Sequence, residues 1–155
     1  MSSKVNIAVI GAGWWCTDFH LPYLSSLENV NLLSVCRFGQ KELNLVKNKF
    51  NFTYASENFE EALSYEELHG AIISTPHTSH YVCAKEALNN KLHVIIEKPM
   101  TTSAKEAQDL FVLSKKNQKQ IIIPYGYNFT HFMDKAREFI ANDIIGSVKH
   151  IDASM

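Results

Sequence analysis

Short apolar runs bounded by turn residues alternate along this chain with longer amphipathic stretches, which predicts strand, helix, strand from the first residues onward. Val5–Ile10 (V-N-I-A-V-I) is a compact β-type run, followed by Gly11-Ala12-Gly13 and an amphipathic stretch from Asp18 to Leu27. Val30–Cys36 reads as the second strand, Gln40–Lys49 as a helix and Phe52–Tyr54 as a short extended piece. Asn58–Ser64 makes a helical turn, and Tyr65–His69 a polar approach to the strand Ala71–Thr75. Helix His80–Asn89 leads to the strand Leu92–Ile96. Ser103–Asn117 is the clearest helix: Ser103 stands where an N-cap belongs, Glu106 completes a capping box, and Leu110, Val112 and Leu113 supply apolar positions. Gln120–Tyr125 closes the series as a strand. Strands alternating with helices predict an α/β fold with a doubly wound parallel sheet.

Beyond Tyr125 the pattern changes. Phe129–Asn142 reads as a further helix, Gly146 ends the turn after it, and Ser147–Ser154 alternates through Val148, Ile151 and Ala153 like a strand beginning. That strand needs a neighbour, while the preceding sheet is already complete. Residues 1–126 are therefore expected to form one domain and 127–155 the start of a second α/β domain whose remainder is absent. An edge of this kind lies without order or pairs with a second copy in a homo-oligomer.

Chemistry enters at two places. Gly11-Ala12-Gly13-Trp14-Trp15-Cys16 follows the first strand and opens a helix, the arrangement of a dinucleotide-binding Rossmann unit. Gly11 permits the turn, Gly13 lets backbone approach a pyrophosphate at the helix N-terminus, and Cys16 replaces the third glycine while staying small enough for helix–strand packing. The second place is Glu97-Lys98-Pro99, at the end of the fifth strand. The carboxyl ends of parallel strands form the ligand crevice of an open α/β sheet, so both charges are expected to face a ligand. Alone, the triplet reads as a solvated charge pair; the glycine loop before it changes that.

Composition adds exclusions. The chain has 155 residues, enough for one ordinary domain, and a net charge of −1, which gives no broad attraction to nucleic acid or to an anionic membrane. No apolar run approaches the ~18 residues of a membrane span, and Met-Ser-Ser-Lys has no signal-peptide core. Cys16, Cys36 and Cys83 are odd in number and scattered, which argues for reduced thiols and a cytoplasmic protein.

In order along the chain, Gly11-Ala12-Gly13 with His20-Leu21-Pro22, Ser74-Thr75-Pro76 with His80, Glu97-Lys98-Pro99, and Gly126-Tyr127-Asn128-Phe129 before Ile145-Gly146-Ser147-Val148 resemble the Gfo/Idh/MocA oxidoreductases. The resemblance covers nearly the whole chain. It implies a Rossmann domain followed by the opening of the family's α/β domain, and NAD(P)-dependent hydride transfer to or from a sugar or polyol. By the same resemblance Glu97 and Lys98 flank the nicotinamide and its ribose, with Lys98 as the catalytic residue that binds substrate or moves a proton. Thr75 and Pro76 would shape the wall over the cofactor, His80 would start the next helix near it, and Asn128 is carried over as a cofactor-side residue. Ala12, Trp14 and Trp15 belong to the phosphate turn.

A dinucleotide site expects an acid roughly 20 residues past the glycines to bind the ribose 2′-hydroxyl of NAD. Cys36 and Arg37 occupy that position, and no acid appears before Glu42. A guanidinium pairs with a 2′-phosphate and stacks on adenine; Arg37 therefore favours NADP, with NAD still open. For His77 and His80, one ring capping the helix and the other solvated is as good a reading as a place near the cofactor, and with no further carboxylate or Cys nearby no metal site is expected. For Trp14 and Trp15 the plain expectation is one ring in the core and the other over the crevice. The Arg common in the family after Gly-Tyr-Asn-Phe is replaced by Thr130-His131. The Asp and His of its second domain lie outside this chain, leaving Lys98 as an incomplete acid–base set. Two functions stay open: the cofactor domain of a dehydrogenase, and a nucleotide-binding module without turnover. A methyltransferase-like site shares the glycine loop, and Glu97-Lys98-Pro99 counts against it.

Overall fold

The structure is a computed structural model that describes residues 4–152. The chain divides into two compact units, Met1–Pro124 and Tyr125–Met155.

The first unit is built on six parallel strands in the order β3-β2-β1-β4-β5-β6. They are β1 (Val5–Ile10), β2 (Val30–Cys36), β3 (Tyr54–Ser56), β4 (Gly70–Ile73), β5 (His93–Ile96) and β6 (Ile121–Ile122). This is the strand order of the dinucleotide-binding α/β fold. The connecting helices are α1 (Leu21–Ser26), α2 (Gln40–Phe50), α3 (Phe59–Leu63), α4 (His80–Asn89) and α5 (Ala104–Asn117). Two apolar clusters flank the sheet. One gathers Ile10, Leu63, Ile73, Leu88, Ile96 and Leu110 on the side of α3, α4 and α5. The other packs Val9, Val35, Leu21, Leu43 and Val46 between the sheet and α1–α2. Central strands covered on both faces explain the near-continuous apolar runs of the sequence.

Several boundaries differ from the sequence expectation. The extended piece expected at Phe52–Tyr54 is displaced to Tyr54–Ser56, because Phe52 is buried in the core and its amide caps α2 by donating to the Lys47 carbonyl. The helix expected from Asp18 begins earlier: a π-turn, Cys16–His20, runs into α1, with the Leu21 amide donating to the Cys16 carbonyl five residues back. Ser103 sits at the N-cap of α5 in extended conformation but makes no side-chain cap bond; its carbonyl instead accepts the Thr101 hydroxyl at 2.7 Å. The last strand keeps only Ile121–Ile122 of the expected Gln120–Tyr125.

The second unit holds a 3-10 turn, Gly126–Phe129, and α6 (His131–Ala141). Thr130 is extended, so α6 starts two residues later than its apolar pattern suggests. The strand expected at Ser147–Ser154 does not form over residues 147–152, and its last two residues lie outside the described ones. A lone strand gains no ladder bonds, and this unit offers no sheet edge among its described residues.

Candidate functional site

β1 lies between β2 and β4, the position where the strand order reverses and a crevice opens at the carboxyl ends. The turn after β1 is fixed by Gly11, whose φ of 90° is a conformation that L side chains rarely adopt. A Cβ there would lie 2.5 Å from the Thr75 nitrogen. Gly13 is the opposite case. Its missing Cβ faces open space, with no protein atom within 4 Å, which is the room a bound group needs to meet backbone. The first helical bond runs from the Thr17 amide to the Gly13 carbonyl at 2.9 Å, so the amides of Trp14, Trp15 and Cys16 precede it and suit an anion.

Two clefts meet at this turn, sharing Gly13, Ser74, Thr75 and Pro76 as common lining. One, of about 370 Å³, extends over Trp14, Trp15, His77, Glu97 and Lys98. The other, of about 300 Å³, extends over Ala12, Arg37, Phe38 and Glu57. A third cleft of about 340 Å³ lies at the opposite ends of the strands, over Val5, Gly70 and His93, with almost no polar lining; it is remote from the candidate chemistry.

Glu97 is buried at the end of β5 and gathers three partners. Its Oε1 accepts the Trp15 indole N–H at 3.0 Å and lies 2.7 Å from His20 Nε2, while Oε2 accepts the Lys98 amide at 3.2 Å. Burial pushes the carboxyl up, but the bonds from Trp15, His20 and the Lys98 amide outweigh it and hold Glu97 below its ordinary value. Trp15 and His20 reach one oxygen because the π-turn puts residues five apart on one side, where a regular helix would separate them by about 140°. Lys98 is exposed, with Nζ 5.7 Å from the centre of the Trp15 ring.

The other expected residues fall as follows. Ala12 is buried, and its carbonyl accepts Arg37 Nη1 at 2.7 Å, so the guanidinium is turned toward the glycine loop. His80 is neither solvated nor a cap. It is fully buried, with Nδ1 2.8 Å from the Pro99 carbonyl and Nε2 2.9 Å from that of Thr75, tying the turn after β4 to the segment after β5. The core ring expected of Trp14 and Trp15 is absent: they are 68% and 38% exposed, packed with Phe19 at the cleft mouth, because the π-turn begins right after them and the buried position passes to Cys16. Burial pushes the Cys16 thiol up to about 12, and those of Cys36 and Cys83 to about 11. Asn128 lies in the second unit, on the 3-10 turn, with its amide on the Tyr125 carbonyl.

Residues 5–125 match the oxidoreductase family with an NAD-binding Rossmann fold known as Gfo/Idh/MocA. The chain belongs to that family. It is 27% identical over 97% of its length to an uncharacterized oxidoreductase of Synechocystis, covering 40% of that protein, and 26% identical to a Bacillus subtilis glucose-6-phosphate 3-dehydrogenase, with 94% of this chain and 41% of that one covered. Among solved structures it superposes with a TM-score of 0.86 on KijD10, a 3-ketoreductase from Actinomadura kijaniata solved with NADP and TDP-benzene. That match has 17% identity and covers 94% of this chain and 44% of the other, and it shows the fold. The chain spans about two-fifths of the length of these curated relatives.

The residues present fit the cofactor of this Gfo/Idh/MocA fold. Arg37 Nε is a buried polar atom without a hydrogen-bond partner among the described residues, and Arg37 and Thr75 both line the cleft beside open Gly13. Two residues of the site escaped the sequence reading. His20 stood only as part of a motif, since five-residue spacing on a helix carries no signal without knowledge of the π-turn. Glu57 follows β3 directly, whereas the apolar pattern ends the extended piece at Tyr54 and leaves Glu57 in a loop.

Proposed function

We propose that this chain is the cofactor-binding part of an NAD(P)-dependent oxidoreductase acting on a sugar or polyol. The observation that carries this reading is the continuous crevice from Arg37 past the open backbone of Gly13 to Lys98. The dinucleotide, when bound, supplies a nicotinamide ring that gives or takes hydride. The amides of Trp14, Trp15 and Cys16 hold its pyrophosphate, the Thr75-Pro76 segment forms the wall between the two clefts, and Lys98 binds the substrate oxygen or carries its proton at Nζ. Glu97, anchored by Trp15 and His20, fixes the backbone from which Lys98 projects. The sugar and polyol class is supported by relatives such as glucose-6-phosphate 3-dehydrogenase. Three free, buried cysteines support a reducing, cytoplasmic setting.

Arg37 favours NADP(H), with NAD(H) also accepted. Titration followed by indole quenching tests both points, because Trp14 and Trp15 line the Lys98 cleft. Saturable quenching by NADPH, tighter than by NADH, is expected, and Arg37→Asp should reverse the order through loss of a charge-assisted pair worth roughly 1.5–3 kcal/mol. An unchanged order of affinities in Arg37→Asp would exclude Arg37 as the group that selects the cofactor.

A second reading, a binding module without turnover, is favoured by Lys98: among the described residues its Nζ makes no hydrogen bond or ion pair, so no partner for proton exchange is at hand. The isolated chain then binds cofactor without oxidising polyols.

A further inference from the structure

Parallel pairing of β2 with β3 sets Cys36 beside Ser56. The next residues, Arg37 and Glu57, therefore leave the sheet side by side, and both line the same cleft of about 300 Å³. Their side chains go to different places. Arg37 directs Nη1 back to the Ala12 carbonyl. Glu57 directs Oε1 to the Gly39 amide, which donates to it at 2.6 Å. A bond this short from an amide to a carboxylate is of the charge-assisted kind. Glu42 adds a second carboxylate at the same corner, with Oε2 2.7 Å from where a Gly39 Cβ would stand.

The corner after β2 is thus acidic although β2 itself ends without an acid. We infer that Glu57 is a specificity-determining residue of the cofactor cleft: it supplies from the neighbouring strand the carboxylate that β2 lacks, and it opposes Arg37. Two effects act together. A carboxylate accepts a ribose 2′-hydroxyl but repels a 2′-phosphate. In addition, the Gly39 amide, a donor that a phosphate at this corner would use, is already occupied by Glu57. Arg37 draws the 2′-phosphate in, Glu57 resists it, and the resulting preference for NADP(H) is small. The inference rests on the cofactor reading proposed above.

The test is a titration of NADPH and NADH into the wild-type chain, Glu57→Gln, Glu57→Ser and the control Glu60→Gln, an exposed neighbour outside the cleft. Glu57→Gln removes the charge and keeps an acceptor for the Gly39 amide; Glu57→Ser removes both. Each Glu57 variant should bind NADPH about tenfold more tightly than the wild type, the effect of one nearby charge at partial exposure. NADH affinity should hold or fall, and Glu60→Gln should leave the ratio unchanged. The gain should shrink at high salt, where screening removes the repulsion. A purely structural role for Glu57 would move both cofactors together. Wild-type binding of both cofactors with an unchanged ratio in both Glu57 variants overturns Glu57 as a determinant and leaves the cofactor reading standing. Binding of neither cofactor by the wild type overturns that reading and this one with it.

Discussion

Glu97 is a buried carboxylate that stays ionised because donors surround it. The Trp15 indole, His20 and the Lys98 amide all converge on its two oxygens. A folded value held below the ordinary 4.5 means that ionised Glu97 stabilises the native state above that pH, and that this contribution fades as pH falls through the depressed value. Wild-type protein should therefore exceed Glu97→Gln in urea midpoint near neutrality, and the gap should close on acidification. A gap that stays constant from about pH 6 to about pH 3 would contradict the arrangement. The sequence made Glu97 and Lys98 legible because a strand end followed by Pro99 has few places to point. Gly11 was legible for a similar reason: a glycine directly after a buried strand marks a turn, here with φ of 90°. His20 was not, since its approach to Glu97 depends on a register change inside a helix, which side-chain type does not reveal.

Among the elements, apolar periodicity located strands and helices better than it located their ends. β2 and α4 fall on the residues expected, because burial on both faces of β2 and along one side of α4 leaves little freedom. Short elements are governed by individual hydrogen bonds instead. α3 has five residues and is capped by Asn58, whose Oδ1 accepts the Glu60 amide at 2.8 Å and the Glu61 amide at 3.4 Å. α5 has fourteen residues and Ser103 in the corresponding place, yet the serine side chain caps nothing. Asn58→Ala should cost about 1 kcal/mol, the usual worth of a working N-cap, whereas Ser103→Ala should cost under about 0.5 kcal/mol. Chemical denaturation of the two variants side by side checks this, and equal losses would show that α5 is capped through Ser103 after all. The capping-box spacing of Ser103 and Glu106 is present, yet only the Ser103 carbonyl is engaged, accepting the Thr101 hydroxyl and the Ala107 amide.

For the molecule as a whole, strand order and glycine geometry place the chemistry. Six parallel strands reverse direction of winding at β1, and the crevice opens between the turn after β1 and the turn after β4. At Gly11 the Thr75 and Ser74 backbone leaves no room for a Cβ, while Gly13 opens outward into the same space. This architecture was legible from alternation and the glycine loop; the division after Pro124 concerns a segment whose expected final strand needs neighbours that the described residues do not supply. The most direct measurement compares NADPH titrations of the wild type and Gly13→Val, with thermal unfolding of both. No protein atom lies within 4 Å of the added Cβ, so the variant should unfold within a few degrees of the wild type, and its branched side chain should fill the space where backbone meets pyrophosphate. Saturable binding in the wild type and its loss in an equally stable Gly13→Val protein is the predicted result. Unchanged NADPH affinity in a well-folded Gly13→Val protein would contradict the assignment of this crevice as the cofactor site.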